Sequence, residues 1–302
     1  IELSSRSRRP MQSHYNLGLV VVSLIVATLA SFTAIDLADR LSLLTYARAR
    51  RIWLAAGALV MGIGIWSMHF IGMLSFSLSI PIGYDFAITC YSLVIAVLIS
   101  GFALHVVTQE RLKLSHLLAG GVLMGFGIAG MHYMGMAAML MNPAISYEPT
   151  IFIASIVIAI AASTAALWVA HTLRHGDQHH VMRKRGAAAC VMGAAIAGMH
   201  YTGMAAANFP VGSVCGAANG VKPEWLAAAV IPFTFAILLV TLLLSRLDAR
   251  AEFLANSVAR LNEQIDRLRG PIPLSGLPRS SGARCGPTRS APNVATGCAA
   301  AR

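Results

Sequence analysis

The chain has 302 residues, of which 57% are apolar and 12% are charged, and its mean hydropathy is +0.68. Soluble globular proteins are about 45–50% apolar and about 25% charged, so this composition excludes an ordinary cytosolic enzyme. The formal net charge of +11 does not predict nucleic-acid binding, because the basic residues lie in short connections between apolar segments. The five cysteines show no CxxC spacing and predict no disulfide framework.

Seven apolar segments follow one another along the chain, and each is close to the length that crosses a bilayer as a helix. They span residues 16–38, 52–75, 87–107, 115–139, 150–172, 187–209 and 225–246. Hydrocarbon offers the backbone no hydrogen-bond partner, and none of the segments alternates like an outer-membrane strand. The sequence therefore predicts an all-α fold, a polytopic bundle of seven transmembrane helices in a lipid bilayer.

The basic residues predict the orientation of this bundle. The connection 39–51 and the two later connections on the same side carry ten lysines and arginines, whereas the opposite side carries only Lys222. The positive-inside rule then places the N-terminus outside and the C-terminus in the cytoplasm. Three arginines of the first ten residues disagree with this orientation, and since the chain begins with Ile1 we expect translation to start at Met11.

An internal repeat organises the apolar part of the chain. Residues 61–73 read MGIGIWSMHFIGM, residues 124–136 read MGFGIAGMHYMGM, and residues 192–204 read MGAAIAGMHYTGM. Weaker similarity precedes each block, where Ser31, Ser100 and Ser163 hold equivalent positions. Such a period predicts three copies of a helical hairpin. Because all copies have the same topology, we expect parallel repeats around an axis along the membrane normal, with the seventh helix outside the repeat.

The blocks carry the candidate ligands, close to the external face. In each block a histidine lies four residues before the last methionine, a spacing that places both side chains on one helical face. Thioether and imidazole groups together suit Cu(I) rather than Mg²⁺ or Ca²⁺. The predicted metal ligands are Met68, His69, Met73, Met131, His132, Met136, Met199, His200 and Met204. Packing is the alternative for any one block, but three copies of the same imidazole favour a shared ligand or metal site.

Two further polar residues are candidates for an inner pair near the cytoplasmic end, although separate positions at the membrane interface are favoured. Asp36 and His105 hold equivalent repeat positions in the first and third helices. They either pair across the helices or reach the membrane interface separately. Nothing in the sequence resembles a nucleophile elbow, a P-loop or a paired-carboxylate site.

The blocks resemble those of the MHYT domain, a bacterial integral-membrane sensory module. The resemblance covers about residues 14–248 and rests on Met68-His69-Phe70, Met131-His132-Tyr133 and Met199-His200-Tyr201. It implies that copper is bound near the outer face of the inner membrane by the nine methionines and histidines, with Tyr133 and Tyr201 beside them. It also implies that the module senses a diatomic gas such as oxygen, CO or NO. Phe70 departs from the pattern and supplies no phenol group in the first block.

The resemblance also frames the domain organisation. We expect residues 1–13 to be an external segment, 14–248 the sensor domain, 249–269 a cytoplasmic signalling helix and 270–302 a disordered tail. The signalling helix carries an apolar stripe that either pairs two protomers as a coiled coil or is a plain exposed helix. MHYT modules usually precede cyclic-di-GMP cyclase or phosphodiesterase domains, and residues 273–279 (PLSGLPR) are similar to the start of a GGDEF cyclase domain. We therefore expect a truncated or frameshifted descendant that is not itself an enzyme.

Together with this resemblance, the sequence predicts a copper-binding membrane sensor that signals to an unidentified cytoplasmic partner and does not bind nucleic acid. Three alternatives remain open. A copper transporter or supply protein needs ligands along a path through the membrane. A membrane oxidoreductase would use copper or haem held by histidines. The third alternative is an inert scaffold whose repeats only associate.

Overall fold

The computed structural model describes residues 13–43, 46–109, 113–174 and 181–269. These residues form seven helices: α1 (Leu17–Leu43), α2 (Ala47–Ser75), α3 (Phe86–Val107), α4 (Leu114–Ala137), α5 (Pro149–Arg174), α6 (Val181–Ala206) and α7 (Pro223–Arg269). Each predicted apolar segment lies on one of them, so the all-α fold class is confirmed. The expected start at Met11 and the GGDEF-like residues 273–279 lie outside the described residues.

Six of these helices are long and apolar enough to cross a membrane, namely α1 to α5 and the first 25 residues of α7. The remaining helix, α6, has 26 residues, a sufficient length, but it is less apolar. It begins next to three consecutive basic residues, 183–185, and continues mainly with alanine and glycine. The chain is a multi-pass membrane protein, and α6 packs among the helices that meet both criteria.

The first six helices close into a ring. Each packs against its neighbours in chain order, and α6 packs against α1. Glycines allow close backbone contact wherever one hairpin meets the next. A Cβ atom would lie 2.6 Å from the Val97 Cα atom if built on Gly62, 2.6 Å from the Ile160 Cα atom if built on Gly125, and 2.8 Å from the Thr28 Cα atom if built on Gly193. This threefold pattern confirms the three predicted hairpin repeats.

Helix α7 lies outside the ring, as the repeat predicts, and packs against the first hairpin. The Thr234 hydroxyl donates to the Ser67 hydroxyl oxygen of α2 at 2.6 Å. Leu238 packs against Ala30 of α1 and Val60 of α2. Further along α7, Arg246 donates to the Met182 Sδ atom of α6 at 3.4 Å. The seventh helix has no counterpart in the repeat and therefore breaks the threefold symmetry.

At one end of the ring, which we call the cap end, three short antiparallel strand pairs lie beyond the helices. Strand β1 (Ser13–Tyr15) pairs with β2 (Phe76–Leu78), β3 (Met141–Asn142) with β6 (Val214–Cys215), and β4 (Ser146–Tyr147) with β5 (Ala207–Asn208). The even-numbered ring helices end here, so each MHYT-like block lies just below the cap end. Phe76, Met141 and Phe209 of these strands and their flanks belong to the same apolar cluster as block methionines.

The cap end also closes each hairpin by an equivalent set of hydrogen bonds. The residues that precede α1, α3 and α5 are Asn16, Asp85 and Glu148. Their backbone N–H groups donate at 2.8 Å to carbonyl oxygens at the ends of the even-numbered helices, those of Ser75, Ala138 and Ala206. Their side-chain oxygens accept from first-turn backbone N–H groups, those of Gly18, Ile88 and Ile151, at 2.9, 2.9 and 2.7 Å. Each of these residues therefore caps one helix and ties it to its hairpin partner.

We expect Asp85→Ala to lower the free energy of unfolding by about 0.5–2 kcal/mol, because the Ile88 N–H loses its acceptor. Asp85→Asn keeps an acceptor oxygen at the same place and should retain most of the stability. The measurement is the unfolding midpoint of the purified protein in detergent. An equal loss in both variants would show that the capping hydrogen bond does not stabilise the hairpin.

Candidate metal centre

Three histidines, one from each block, meet on the axis of the ring. His69 of α2, His132 of α4 and His200 of α6 are each 1% exposed. The Nδ1 atom of His69 lies 3.1 Å from that of His132 and 3.2 Å from that of His200. The ring centroids are 4.9, 5.1 and 5.1 Å apart, and the ring planes are inclined at 79°, 83° and 87°. The three imidazoles, which we call the histidine triad, form a propeller around one point.

Each imidazole of the triad lies against a glycine of another block. A Cβ atom built on Gly135 would lie 2.2 Å from the His69 Nε2 atom. The same construction gives 2.4 Å between Gly203 and His132, and 2.3 Å between Gly72 and His200. The contacts run from α2 to α4, from α4 to α6 and from α6 to α2. The glycine before the last methionine of each block therefore leaves the space that a neighbouring imidazole fills.

The nitrogen atoms of the triad have the spacing of metal ligands. Nitrogen ligands that lie about 2.0–2.1 Å from one tetrahedral ion are about 3.3 Å apart, close to the observed Nδ1 separations. One ligand nitrogen from each of the three residues lies within 4.8 Å of the others. All three Nε2 atoms are buried without a hydrogen-bond partner. The Nδ1 atoms therefore face one another, and the Nε2 atoms have no other hydrogen-bond partner. This arrangement is suited to binding one cation between the three imidazoles.

The aromatic residue after each histidine packs beside its imidazole, and the two tyrosines among them turn their hydroxyl groups toward odd-numbered helices. The ring centroids of His132 and Tyr133 are 4.8 Å apart, and those of His200 and Tyr201 are 4.9 Å apart. The Tyr133 hydroxyl lies 2.7 Å from the Ser155 Oγ atom, and the Tyr201 hydroxyl lies 2.8 Å from the Ser23 Oγ atom. The tyrosines thus connect the triad to the odd-numbered helices α1 and α5.

In the first block, a different residue makes the hydrogen bond to the serine of the odd-numbered helix. Phe70 also packs beside its histidine, with 5.0 Å between the ring centroids of His69 and Phe70, but it has no hydroxyl group. Instead, the Trp66 indole N–H donates to the Ser92 Oγ atom at 2.9 Å. Ser92 is the repeat equivalent of the two serines bound by the tyrosines. Sequence reasoning missed Trp66, although the paired change of tyrosine to phenylalanine and alanine to tryptophan within one block was a visible signal.

The six methionines predicted as ligands are all buried. Met68, Met73, Met131, Met136, Met199 and Met204 are 0–3% exposed. Five of them belong to the large apolar cluster below the cap end, whereas Met199 packs with Ala129 and Ala159. The structure therefore brings the three histidines together, and direct metal ligation by the methionines stays a prediction.

Of the two alternatives for Asp36 and His105, the structure does not have the pairing across helices. His105 is exposed on α3. The Asp36 carboxylate accepts a hydrogen bond from the Ser245 hydroxyl of α7, and its Oδ1 atom lies 3.7 Å from a guanidinium nitrogen of Arg185 on α6. A charged partner and a buried hydroxyl satisfy the carboxylate better than an exposed imidazole on another helix does. Arg40 also donates to the Ser245 Oγ atom, at 3.0 Å, so this end of α1 holds α7.

We expect Gly135→Ala to displace the His69 imidazole and to destabilise the protein, since overpacking a core typically costs about 1–3 kcal/mol. Gly130→Ala on the same helix is the matched control, because a Cβ atom there meets nothing within 4 Å. The control should be neutral or stabilising, since alanine favours a helix over glycine by about 0.5–1 kcal/mol. The thermal unfolding midpoints of the two variants in detergent test this, and equal midpoints would contradict the glycine contact.

Comparisons with known proteins agree with this architecture. The family model MHYT, described as a bacterial signalling protein N terminal repeat, matches residues 62–120, 125–182 and 193–255. The chain is 54% identical over 271 residues to the bifunctional diguanylate cyclase/cyclic di-GMP phosphodiesterase MucR of Pseudomonas aeruginosa, a match that covers 88% of this chain and 39% of that protein. It is 39% identical over 198 residues to the signaling protein YkoW of Bacillus subtilis, covering 65% of this chain and 24% of that protein.

A third relative is the cyclic di-GMP phosphodiesterase NbdA of Pseudomonas aeruginosa, 36% identical over 221 residues, with 72% of this chain and 28% of that protein covered. The chain thus spans less than two fifths of the length of these curated relatives. No solved structure matches it. The three matched repeats and these relatives show that the chain belongs to the MHYT family.

Proposed function

We propose that this chain is a membrane sensor that binds copper at the histidine triad and signals to a cytoplasmic partner in a cyclic-di-GMP pathway. The observation that carries the proposal is the convergence of the His69, His132 and His200 Nδ1 atoms at 3.1 and 3.2 Å. Neutral imidazole is the commonest metal ligand in proteins. Two relatives support a role in signalling. One is named a bifunctional diguanylate cyclase/cyclic di-GMP phosphodiesterase and the other a cyclic di-GMP phosphodiesterase.

Copper is the metal that best suits the surroundings of the triad. Imidazole is a ligand for several transition metals, but thioether groups select Cu(I), and buried methionines flank every histidine of the triad. Bound copper would supply a redox-active centre that a diatomic gas can reach as a ligand. The residues of the chain hold the three imidazoles in place through the glycine contacts and keep water away through the buried cluster below the cap end.

Helix α7 provides the route from the triad to the rest of the chain. Ser67, which binds Thr234 of α7, lies two residues before His69 on α2. A ligand changes the position of α2 only if it binds two helix arrangements with different affinity. A movement of this kind would shift the Thr234 contact and, with Ser245 fixed to Asp36, would strain α7 between its two attachments. We propose that the cap end faces the periplasm and that the end of α7 lies in the cytoplasm of an inner-membrane protein.

We expect the purified wild-type chain to contain near-stoichiometric copper after loading with Cu(I), and the triple variant H69A/H132A/H200A to lose it, because no imidazole remains at the axis. Elemental analysis after removal of free metal measures the content. The matched control replaces His105 and His116, both exposed, with alanine and should keep the copper. A stable wild type that stays copper-free after loading would contradict the metal site.

An optical spectrum of the same samples separates copper from haem, the other group that paired imidazoles hold between helices. A haem absorption band in the wild type that the triple variant lacks would replace copper with haem in the proposal. Identical spectra and metal contents in both proteins would exclude the triad as the ligand set.

We also propose that residues 249–269 pair two copies of the chain. In α7 a heptad spacing joins Leu247, Leu254, Val258, Leu261 and Ile265, and these side chains are 47–62% exposed. Apolar residues at alternating steps of three and four form the seam of a coiled coil. A second copy would cover this stripe along its whole length.

We expect the double variant L254K/L261K to shift the purified protein from dimer to monomer, because charged side chains do not pack in a coiled-coil seam. The control N256K/A259K adds the same charges off the stripe and should remain dimeric. Light scattering with correction for detergent gives the mass. A monomeric wild type, or equal masses for both variants, would contradict the pairing.

A further inference from the structure

A cavity of about 60 Å³ lies inside the ring, close to the histidine triad. Side chains of five ring helices line it, from α1, α2, α4, α5 and α6. Ile65, Ile128 and Ile196, one from each block, belong to this lining, and each lies four residues before a histidine of the triad. Four residues are about 6 Å along a helix. The cavity, which we call the axial cavity, therefore begins about one helical turn from the triad.

The surface of the axial cavity is almost wholly apolar. Two serines, Ser31 and Ser163, belong to its lining, but their Oγ atoms are inaccessible. A buried water molecule needs about two to four polar partners, which this lining does not supply. We therefore expect the axial cavity to contain no ordered water.

Small side chains on α1 and α5 leave this space open. The alanines in the lining are Ala30, Ala34, Ala159, Ala162 and Ala166. Protein interiors are otherwise closely packed, and voids larger than a water molecule are few in any domain. Atoms beside an empty space lose the dispersion contacts that a neighbour would provide. An occupant that restores these contacts and needs no hydrogen bond would thus be stabilised in the axial cavity.

We infer that the axial cavity binds a small nonpolar gas molecule of diatomic size, such as dioxygen, carbon monoxide or nitric oxide. Dry apolar cavities bind nonpolar guests, and a cavity of about 150 Å³ accepts benzene or xenon. The axial cavity is less than half that size, which favours a guest smaller than a benzene ring, but it exceeds the about 10–15 Å³ that one water molecule needs. Transfer of nonpolar molecules from water into the surrounding hydrocarbon is favourable, so the bilayer supplies such guests. The site does not depend on a metal at the histidine triad.

The first test uses xenon, an inert nonpolar guest, with the purified full chain in detergent after chelators have removed any metal. We expect the isotope-labelled δ1 methyl signals of Ile65, Ile128 and Ile196 to shift with xenon pressure and to reach a plateau. Ile71 is 0% exposed and lies outside the lining, so its signal should not shift. Ile153 is 59% exposed and reports xenon dissolved in the detergent, where the shift should rise without a plateau.

Dioxygen tests for a diatomic guest in the same samples, because it is paramagnetic. Under dioxygen pressure, the signals of the three lining isoleucines should broaden several-fold more than that of Ile71. Equal broadening of all these buried isoleucines, or xenon shifts without selective broadening by dioxygen, would overturn the assignment to a diatomic gas.

A variant with a filled cavity gives a further arm of the test. We expect Ala162→Leu to abolish the xenon shifts of the three lining isoleucines, because the larger side chain occupies the space that Ala162 borders. The matched control Ala161→Leu, at the neighbouring exposed position of α5, should shift as the wild type does. Unshifted lining isoleucines in the wild type, or wild-type shifts in Ala162→Leu, would overturn the gas site. A chain that binds no copper would leave it standing, since these measurements are made without metal.

Discussion

The packing of each imidazole on a glycine of another block is the contact on which the rest of the structure depends. His69 rests on Gly135, His132 on Gly203, and His200 on Gly72, so each even-numbered ring helix both supplies a ring and receives one. A side chain at any of these glycines would displace the imidazole that rests on it or push the two helices apart. The distance between these helices is thus set by the histidines themselves, and a metal at their Nδ1 atoms would bind a centre that the ring already holds together.

The internal repeat made most of this arrangement predictable. Three copies of one block predict threefold packing, and a histidine at the same position of each copy must then arrive at the same depth, which the triad confirms. One contact that the sequence did not predict has no threefold counterpart. Asp36 meets Ser245 and Arg185, residues more than a hundred positions away, and no local pattern connects them. The glycine before the last methionine of each block was predicted to allow close helix approach. The sequence does not indicate that an imidazole of another block fills the space beside that glycine.

The departures of the first block from the repeat have one structural cause. Trp66-Ser67 stands where the other blocks have Ala129-Gly130 and Ala197-Gly198. Ser67 is fully buried because α7 covers it, whereas Gly130 and Gly198 are exposed. The tryptophan takes over the serine contact that a tyrosine makes elsewhere, which frees the next aromatic position for Phe70. The deviation from the repeat therefore marks, in the sequence alone, the hairpin on which α7 docks.

This asymmetry decides how a change at a threefold centre reaches a single helix. All three even-numbered ring helices contribute equally to the histidine triad, whereas Ser67, Ala30 and Val60, against which α7 packs, all lie on the first hairpin. Further along α7, Arg246 donates to the Met182 Sδ atom of α6 at 3.4 Å. A symmetric expansion or contraction of the triad would move α2, α4 and α6 alike. The movement of α2 would be passed to α7 at Thr234, close to the level of the histidines, while Ser245 stays tied to Asp36 and Arg40 of α1. Since α1 and α2 form one hairpin whose cap-end hydrogen bond joins Asn16 to Ser75, a displacement between them at the other end would tilt α7 rather than translate the whole bundle.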